Sequence, residues 1–278
     1  MYWYYREVMF DTFIHRLLRM PYTLHIRHLQ RPRKPRATLL FVHGLGNTGD
    51  AWHDVIARMP ADVRIISIDL LGFGESPNPS WALYDARTQA KSVLATLLKL
   101  RIAGPLIVVG HSLGSLVAIE ITKRYPIFIS QLILCSPPLY DDSKGRLPRS
   151  DDLLRQLYAV AEQNPARFVK LAAVAMKYEL INKTFNVTDE NVGSYMAALS
   201  AMVINQTSLN DAMALNVPTT IIHGTLDPFV VAKNLKKLRV ANKNITIKQI
   251  IAGHEVKGLF ARSVSKTILD RLPQIPRR

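Results

Sequence analysis

The chain has 278 residues, enough for one sizeable core with an insertion and too few for several independent domains. Its hydrophobic content is 48%, and its one cysteine, Cys135, excludes an intramolecular disulfide framework and points to a reducing compartment, the cytoplasm. The formal net charge of +15 is read chiefly as solvated surface; no nucleic-acid fold motif accompanies it, and contact with an anionic membrane is the next reading.

Residues 1–19 place Met9, Phe10, Phe13, Ile14, Leu17 and Leu18 at helical spacing. Arg6, Glu7 and Asp11 interrupt this apolar face, so residues 1–20 read as an amphipathic helix rather than a signal peptide or a spanning helix. Packing on the rest of the protein is the favoured role. Attachment to a membrane interface, helped by Arg27, Arg31, Arg33, Lys34 and Arg36, is the alternative. Tyr22 to Leu29 reads as a first strand, and a basic, proline-containing turn leads to a buried strand over 37–42. That strand ends in His43-Gly44-Leu45-Gly46-Asn47, a glycine-flexible loop able to aim a backbone N–H. A helix near 51–59 precedes a strand over 64–68, the turn Asp69-Leu70-Leu71-Gly72-Phe73-Gly74-Glu75-Ser76, and a helix over about 85–101.

The run Leu106-Ile107-Val108-Val109 then ends in Gly110-His111-Ser112-Leu113-Gly114, and an apolar helical pattern continues to Tyr125, before Pro126. G-x-S-x-G between a buried strand and a helix is a nucleophile elbow in its required context. The sharp turn strains the serine backbone, and the flanking glycines let the chain cross itself. The helix N-terminus favours negative charge beside Ser112. A serine hydroxyl is a poor nucleophile by itself, so this reading requires a base and an orienting acid further along the chain.

A strand over 131–135 contains Cys135, a small buried hydrophobe, and ends at Pro137-Pro138. Residues 139–210 break the strand–helix rhythm with three helical patterns, over about 150–163, 165–182 and 188–206. Ser150 and Thr188, each followed by acidic residues, open the first and third. This segment reads as a helical cap inserted between core segments 21–138 and 211–278. Leu153, Leu157, Phe168, Leu171, Val174, Met176, Met196, Leu199 and Met202 are available for its inner face. The core resumes with a strand over 217–224, followed at once by Asp227. A helix carrying Lys233, Lys236, Lys237 and Arg239 leads to a strand over 245–251, and His254 lies in the loop beyond. Three strand ends thus deliver Ser112, Asp227 and His254 to one edge of a parallel sheet.

In their order, His43 to Gly46, Asp69 to Ser76, Gly110 to Gly114 and the Asp227 and His254 loops resemble the motif set of the α/β-hydrolase family, in its lidded serine esterase and lipase-like form, over roughly residues 21–278. The resemblance implies an α/β fold: a mostly parallel central sheet flanked by helices, with an inserted helical lid. It implies a serine hydrolase with Ser112 as nucleophile, His254 as base, Asp227 as orienting acid, and the backbone N–H groups of Leu45 and Leu113 as the oxyanion hole. Asp141 and Asp142 follow the earlier strand, where some members carry their acid, and are the alternative to Asp227. His43 matches the family's structural histidine beside the oxyanion loop. His111 is read as packing behind the elbow, His223 as a near-core histidine, and Ser76 as a turn residue. The implied partner is a small-molecule ester with an apolar portion, with a thioester or amide as the lesser reading; leucine- and methionine-rich lids suit such groups. In this family the same triad also serves C–C bond hydrolysis of diketone-like substrates, acyl transfer and perhydrolysis. A slow-turnover small-molecule or lipid receptor is the non-enzyme alternative. No cofactor is implied, and no Cys/His cluster has metal-ligand spacing.

Overall fold

The computed structural model describes residues 11–140, 163–177, 187–204 and 207–274. Strands β1 (Ile26–Gln30) and β2 (Thr38–Val42) are followed by a short helix α1 (His53–Ile56) and β3 (Arg64–Ile68). Helix α2 (Ala86–Lys99), β4 (Leu106–His111), α3 (Leu113–Arg124) and β5 (Ile129–Cys135) complete the first half. Helices α4 (Pro165–Lys177), α5 (Val192–Ala198) and α6 (Ser208–Met213) stand between β5 and β6 (Thr219–Gly224). Helix α7 (Ala232–Ala241), β7 (Ile245–Ile250) and α8 (Leu259–Arg271) close the chain. The strands form one sheet in the order β1-β3-β2-β4-β5-β6-β7, parallel throughout except for β1. This is the α/β architecture expected from the sequence.

Helices cover both faces, so the central strands are apolar on both sides and read as continuous runs. The period of two then divides each strand between two cores. Leu40, Val42, Ile66, Val108, Leu132 and Leu134 pack under Val93, Leu97, Leu116 and Val117 of α2 and α3. Leu39, Phe41, Ile65, Ile107, Val109 and Ile133 face Trp52 and Val55 on one side and Phe260, Val264 and Ile268 of α8 on the other. Cys135 is fully buried in this second core, as expected of a small hydrophobe. Parallel register keeps the strand ends level: Val42 pairs with Gly110, His111 with Cys135, Cys135 with Ile222, and Gly224 with Ile250. The loops after these residues therefore emerge along one edge.

The first strand starts later than the sequence predicts. Tyr22 and Leu24 are buried, but the Leu24 N–H donates to Thr96 Oγ1 at 2.8 Å and the His25 N–H to Ser76 Oγ at 2.9 Å. Side chains from α2 and from the 69–76 turn take the donors that a ladder partner would use. Ser76 is thus a turn residue, its own hydroxyl donating to the Asp69 carbonyl. In the insertion, Phe168, Leu199 and Met202 are buried against the core and Met196 packs beside them, whereas Leu171 and Val174 face solvent. The α5 helix opens at Asn191, whose side chain accepts from the Thr188 N–H; Thr188 therefore precedes the cap rather than forming it. Leu153, Leu157, Ser150, Asp141 and Asp142 lie outside the described residues, as does the Met176 side chain.

Asp69 has no exposed side-chain surface, and it organises the turn after β3. Its carboxylate accepts from Arg27 Nη2 at 2.6 Å and from the N–H groups of Gly49 and Glu75 at 2.8 and 3.0 Å. Burial opposes the charge, but these donors outweigh it and hold the carboxyl below its ordinary value. Gly74 is required here: its φ is +56°, and a Cβ would sit 2.2 Å from Asp69 Oδ2. Arg27 and Arg36, read in the sequence as part of a basic surface, are ion-paired with Asp69 and Asp62. Removing the arginine alone strands a buried carboxylate. Arg27→Met is therefore expected to cost about 3–5 kcal/mol in urea denaturation. Lys266→Met, which breaks an exposed pair with Asp270, should cost no more than about 0.5 kcal/mol in the same measurement.

Candidate active site

The site is built at the carboxyl ends of β2, β4, β5, β6 and β7. Ser112 stands between β4 and α3 with φ +51° and ψ −123°, a conformation that costs a side-chain-bearing residue about 1–3 kcal/mol. Close packing holds it there. A Cβ on Gly114 would lie 2.4 Å from the carbonyl oxygens of Val42 and His43, and one on Gly110 would lie 2.5 Å from the Gly114 carbonyl. Only glycine at both positions lets α3 leave the sheet across β2. The Ser112 N–H donates to the Cys135 carbonyl at 2.9 Å, and Ser115 Oγ donates to the Gly110 carbonyl at 2.9 Å, fastening the turn from both sides.

The β6 and β7 loops are joined before they reach their functional residues. Thr225 and Leu226 donate their N–H groups to the carbonyls of Ile250 and Ala252 at 2.8 and 3.0 Å. Gly224 permits this approach, since a Cβ there would sit 2.1 Å from the Ala252 carbonyl oxygen. His254 Nδ1 then meets Asp227 Oδ1 at 3.0 Å and Oδ2 at 2.9 Å. A carboxylate only accepts, so Nδ1 carries the proton and Nε2 is left as an acceptor. Asp227 has no exposed side-chain surface. Burial pushes its carboxyl up, but the His254 hydrogen bond and charge outweigh that and hold it below the ordinary value, as an anion. The Phe229 N–H, donating at 2.9 Å, adds to this pull, as does the buried Ser136 hydroxyl beside the carboxylate, which has no better-aligned partner. The Phe229 ring meets His254 edge-on at a centroid distance of 4.8 Å.

Two further histidines hold backbone in place. His43 is fully buried; its Nε2 accepts from the Leu70 N–H at 2.8 Å, so its proton is on Nδ1 and donates to the Gly44 carbonyl at 2.7 Å. A planar trans peptide then turns the Leu45 N–H the opposite way, off His43. Among the described residues, the N–H groups of Leu45 and Leu113 have no hydrogen-bond acceptor. A Cβ on Gly44 would touch Ser112 Cβ at 3.1 Å, so this loop lies directly against the serine.

His111 does more than pack behind the elbow. Its Nε2 lies 3.0 Å from the His254 carbonyl oxygen and must donate to it. Its ring sits 4.9 Å from that of His254, with Trp52 edge-on at 6.4 Å on another side. Burial first, and the neighbouring His254 second, lower its pKa to about 4. Sequence reasoning missed this link and the contributions of Ser136 and Phe229. The position of His111 beside Ser112 was the one available signal. His223 is buried, with Nδ1 3.1 Å from the Gly224 carbonyl, as a near-core histidine should be. Among the described residues, no group of His, Cys, Asp and Glu is placed to hold a metal ion.

A seven-stranded, mostly parallel sheet, with a strained serine at the end of its central strand and an Asp–His pair at the ends of the next strands, defines the class. The chain belongs to the α/β-hydrolase family: the family profile described as the alpha/beta hydrolase fold matches residues 37–257. Lipase LipV of Mycobacterium tuberculosis is 38% identical over 122 residues, which is 43% of this chain and 45% of LipV. Probable lysophospholipase BODYGUARD 2 of Arabidopsis thaliana is 28% identical over 167 residues, covering 57% of this chain and 35% of that protein. The match thus spans less than half the length of each of these relatives. Among solved structures, the esterase EaEST from Exiguobacterium antarcticum superposes with a TM-score of 0.74 at 16% identity, over 91% of this chain and 99% of that one. The enol-lactonase from Burkholderia xenovorans LB400 does so with a TM-score of 0.72 at 20% identity, over 89% and 95%. At these identities the likeness is one of fold.

The buried state of His111 has a consequence for acid stability. Between pH 6.5 and about 4 an unfolded chain takes up a proton at this histidine, while the folded protein, with Asp227, Glu255 and His254 around the ring, does not. Stability is therefore full above pH 6.5 and falls as pH drops through that window, by on the order of 3 kcal/mol from this group. Glutamine places an amide nitrogen near the Nε2 position without titrating. His111→Gln should flatten the acid slope in urea denaturation measured across this range, and the remaining slope should reflect His43, whose pKa burial also lowers, joined toward pH 4 by the Asp69 and Asp227 carboxyls.

Proposed function

We propose that the protein is a serine hydrolase that cleaves an ester with an apolar portion through an acyl-enzyme. The observation that carries this reading is the Asp227–His254 pair at 2.9 Å, brought by level strand ends to the edge where Ser112 is held strained at the start of α3. Asp227 fixes the His254 tautomer, so Nε2 is free to take the Ser112 proton as Oγ attacks the substrate carbonyl. The negative charge that develops on the carbonyl oxygen is received by the Leu45 and Leu113 N–H groups, the first aimed by the His43–Gly44 hydrogen bond. Each such donor is worth about 3–4 kcal/mol of barrier in comparable enzymes. His254 then protonates the leaving alcohol, and water, activated by the same histidine, releases the acid. The positive end of α3 favours the charge at both tetrahedral stages.

Two further lines support an apolar ester. The lipase and lysophospholipase names of LipV and BODYGUARD 2 point to acyl-chain chemistry. The helical insertion after β5 packs Phe168, Leu199 and Met202 into the core on the α2–α3 face of the sheet, and a lid of this apolar character suits an apolar chain. Because Asp141 and Asp142 are the alternative acid, the assignment of Asp227 is tested together with the nucleophile. Ser112→Ala should abolish turnover of a chromogenic short-chain ester and labelling by a fluorophosphonate, with its melting temperature retained. Mass spectrometry of the labelled wild-type protein should find the adduct on the peptide carrying Ser112; an adduct on another serine overturns the reading. Asp227→Asn should lower kcat by on the order of 10⁴, because the histidine loses its preferred tautomer. Asp141→Asn and Asp142→Asn should cost little, and a large loss from either one places the acid after β5 instead.

A further inference from the structure

The segment before β1 is docked by its polar side. The Tyr22 hydroxyl donates to Asp11 Oδ2 at 2.6 Å, and the Tyr22 ring stacks on His15 at a centroid distance of 3.6 Å. His15 Nδ1 also meets the Met20 carbonyl at 2.8 Å, closing the segment on itself. Asp11 is the only acidic residue between positions 11 and 20, and Tyr22 occupies it. The apolar residues are therefore turned outward: Phe13 is 49% exposed, Leu17 69%, Leu18 53% and Met20 55%. Of the apolar face that the periodicity predicts, Phe13, Leu17 and Leu18 thus point away from the core, Ile14 is half-buried, and Met9 and Phe10 lie outside the described residues. Two arginines, Arg16 and Arg19, are interleaved with these side chains and have no ion-pair partner among the described residues.

We infer that this segment is an interfacial anchor for an anionic lipid bilayer. Phe13, Leu17, Leu18 and Met20 enter the boundary between headgroups and acyl chains, and Arg16 and Arg19 lie at the phosphate level. An exposed apolar cluster rimmed by unpaired cations fits that surface. A second copy of the chain fits it poorly, because a two-fold contact would bring two copies of the same cationic patch together in a protein of net charge +15. Topology adds the location. Ile26 pairs with Ile68 at the carboxyl end of β3, so the chain enters β1 at the edge that carries Ser112, Asp227 and His254, and Tyr22, which holds the segment, packs beside Trp81 of the loop after β3. Gln30 pairs with Ile65 near the start of β3, which sets the basic residues Arg31, Arg33 and Lys34 at the opposite edge, about 15 Å away along the strand. The bilayer thus meets the catalytic edge of the sheet rather than the polybasic turn. Resting on the hydrolase reading, this places the reaction centre beside the membrane and makes a membrane-dissolved acyl ester the substrate class.

The test is co-sedimentation of the full chain with phosphatidylcholine vesicles, with and without phosphatidylglycerol. The wild-type protein should sediment with the anionic vesicles. The double change Leu17→Glu and Leu18→Glu, at exposed positions, should lower the bound fraction about tenfold or more while melting temperature and turnover of a soluble short-chain ester stay unchanged. The pair Arg16→Glu and Arg19→Glu should abolish the preference for anionic vesicles. Ser112→Ala should bind as the wild type does, so that failure of the hydrolase reading is seen in turnover and failure of the anchor is seen in sedimentation. Three results overturn the anchor. The wild-type protein stays in the supernatant; the leucine variant binds undiminished while Arg31→Glu with Arg33→Glu does not; or the leucine variant converts a dimer to a monomer with no vesicle binding in either form.

Discussion

The structure turns on a crossing of chain segments with no room for a side chain. At Gly110 and Gly114 the start of α3 passes against the end of β4 and over the Val42 and His43 carbonyls, with prospective Cβ contacts of 2.4–2.5 Å. This contact forces Ser112 into its positive-φ conformation and points the first turn of α3 at the space above the sheet. The same contact presses the β2 loop, with Gly44 and Leu45, against the serine. Ser112, the α3 N-terminus and the Gly44–Leu45 backbone therefore come from one packing constraint. The strain at Ser112 is stable only because two buried cores surround it.

Around that crossing, the environment sorts protonation states. Asp227 is buried, yet it stays anionic because His254 and the Phe229 N–H donate to it. His111 is buried beside them and stays neutral, because burial dominates and its own bond is to a carbonyl. A neutral His111 holds the His254 loop without placing a positive charge next to the His254 ring. His43 works the same way one loop earlier, as a neutral Nδ1–H donor that orients a peptide. His43 and His111 act as backbone clamps, whereas His254 turns Nδ1 to a carboxylate, and the difference lies in what each nitrogen faces.

The edge that holds these groups also receives the helical insertion and the N-terminal segment. Neither belongs to the strand–helix alternation. The insertion turns Phe168, Leu199 and Met202 inward, whereas the N-terminal segment turns Phe13, Leu17 and Leu18 outward. Among the described residues no helix is long and apolar enough to cross a membrane. The exposed cluster is a surface feature.

The amino-acid pattern by itself determined the sheet and put Ser112, Asp227 and His254 just past its strand ends. Strands buried on both faces read as unbroken apolar runs, and the G-x-S-x-G turn, Asp227 and His254 each sit just past one of them. The signal for α8 was there as well, in the spacing of Phe260, Val264 and Ile268, although no motif drew attention to it. What the sequence does not carry is which partner a polar group finds across the fold. The start of β1 depends on Thr96 and Ser76, far along the chain. The clamp of His111 on the His254 loop joins residues 143 positions apart. Arg27 looks like one more surface cation until Asp69 is placed beside it. The N-terminal apolar face is legible as a face, but periodicity is the same whether that face meets a core or solvent. Only the docking of Asp11 and His15 on Tyr22 decided which way it points, because a local repeat sets the spacing of side chains and long-range contacts set their direction.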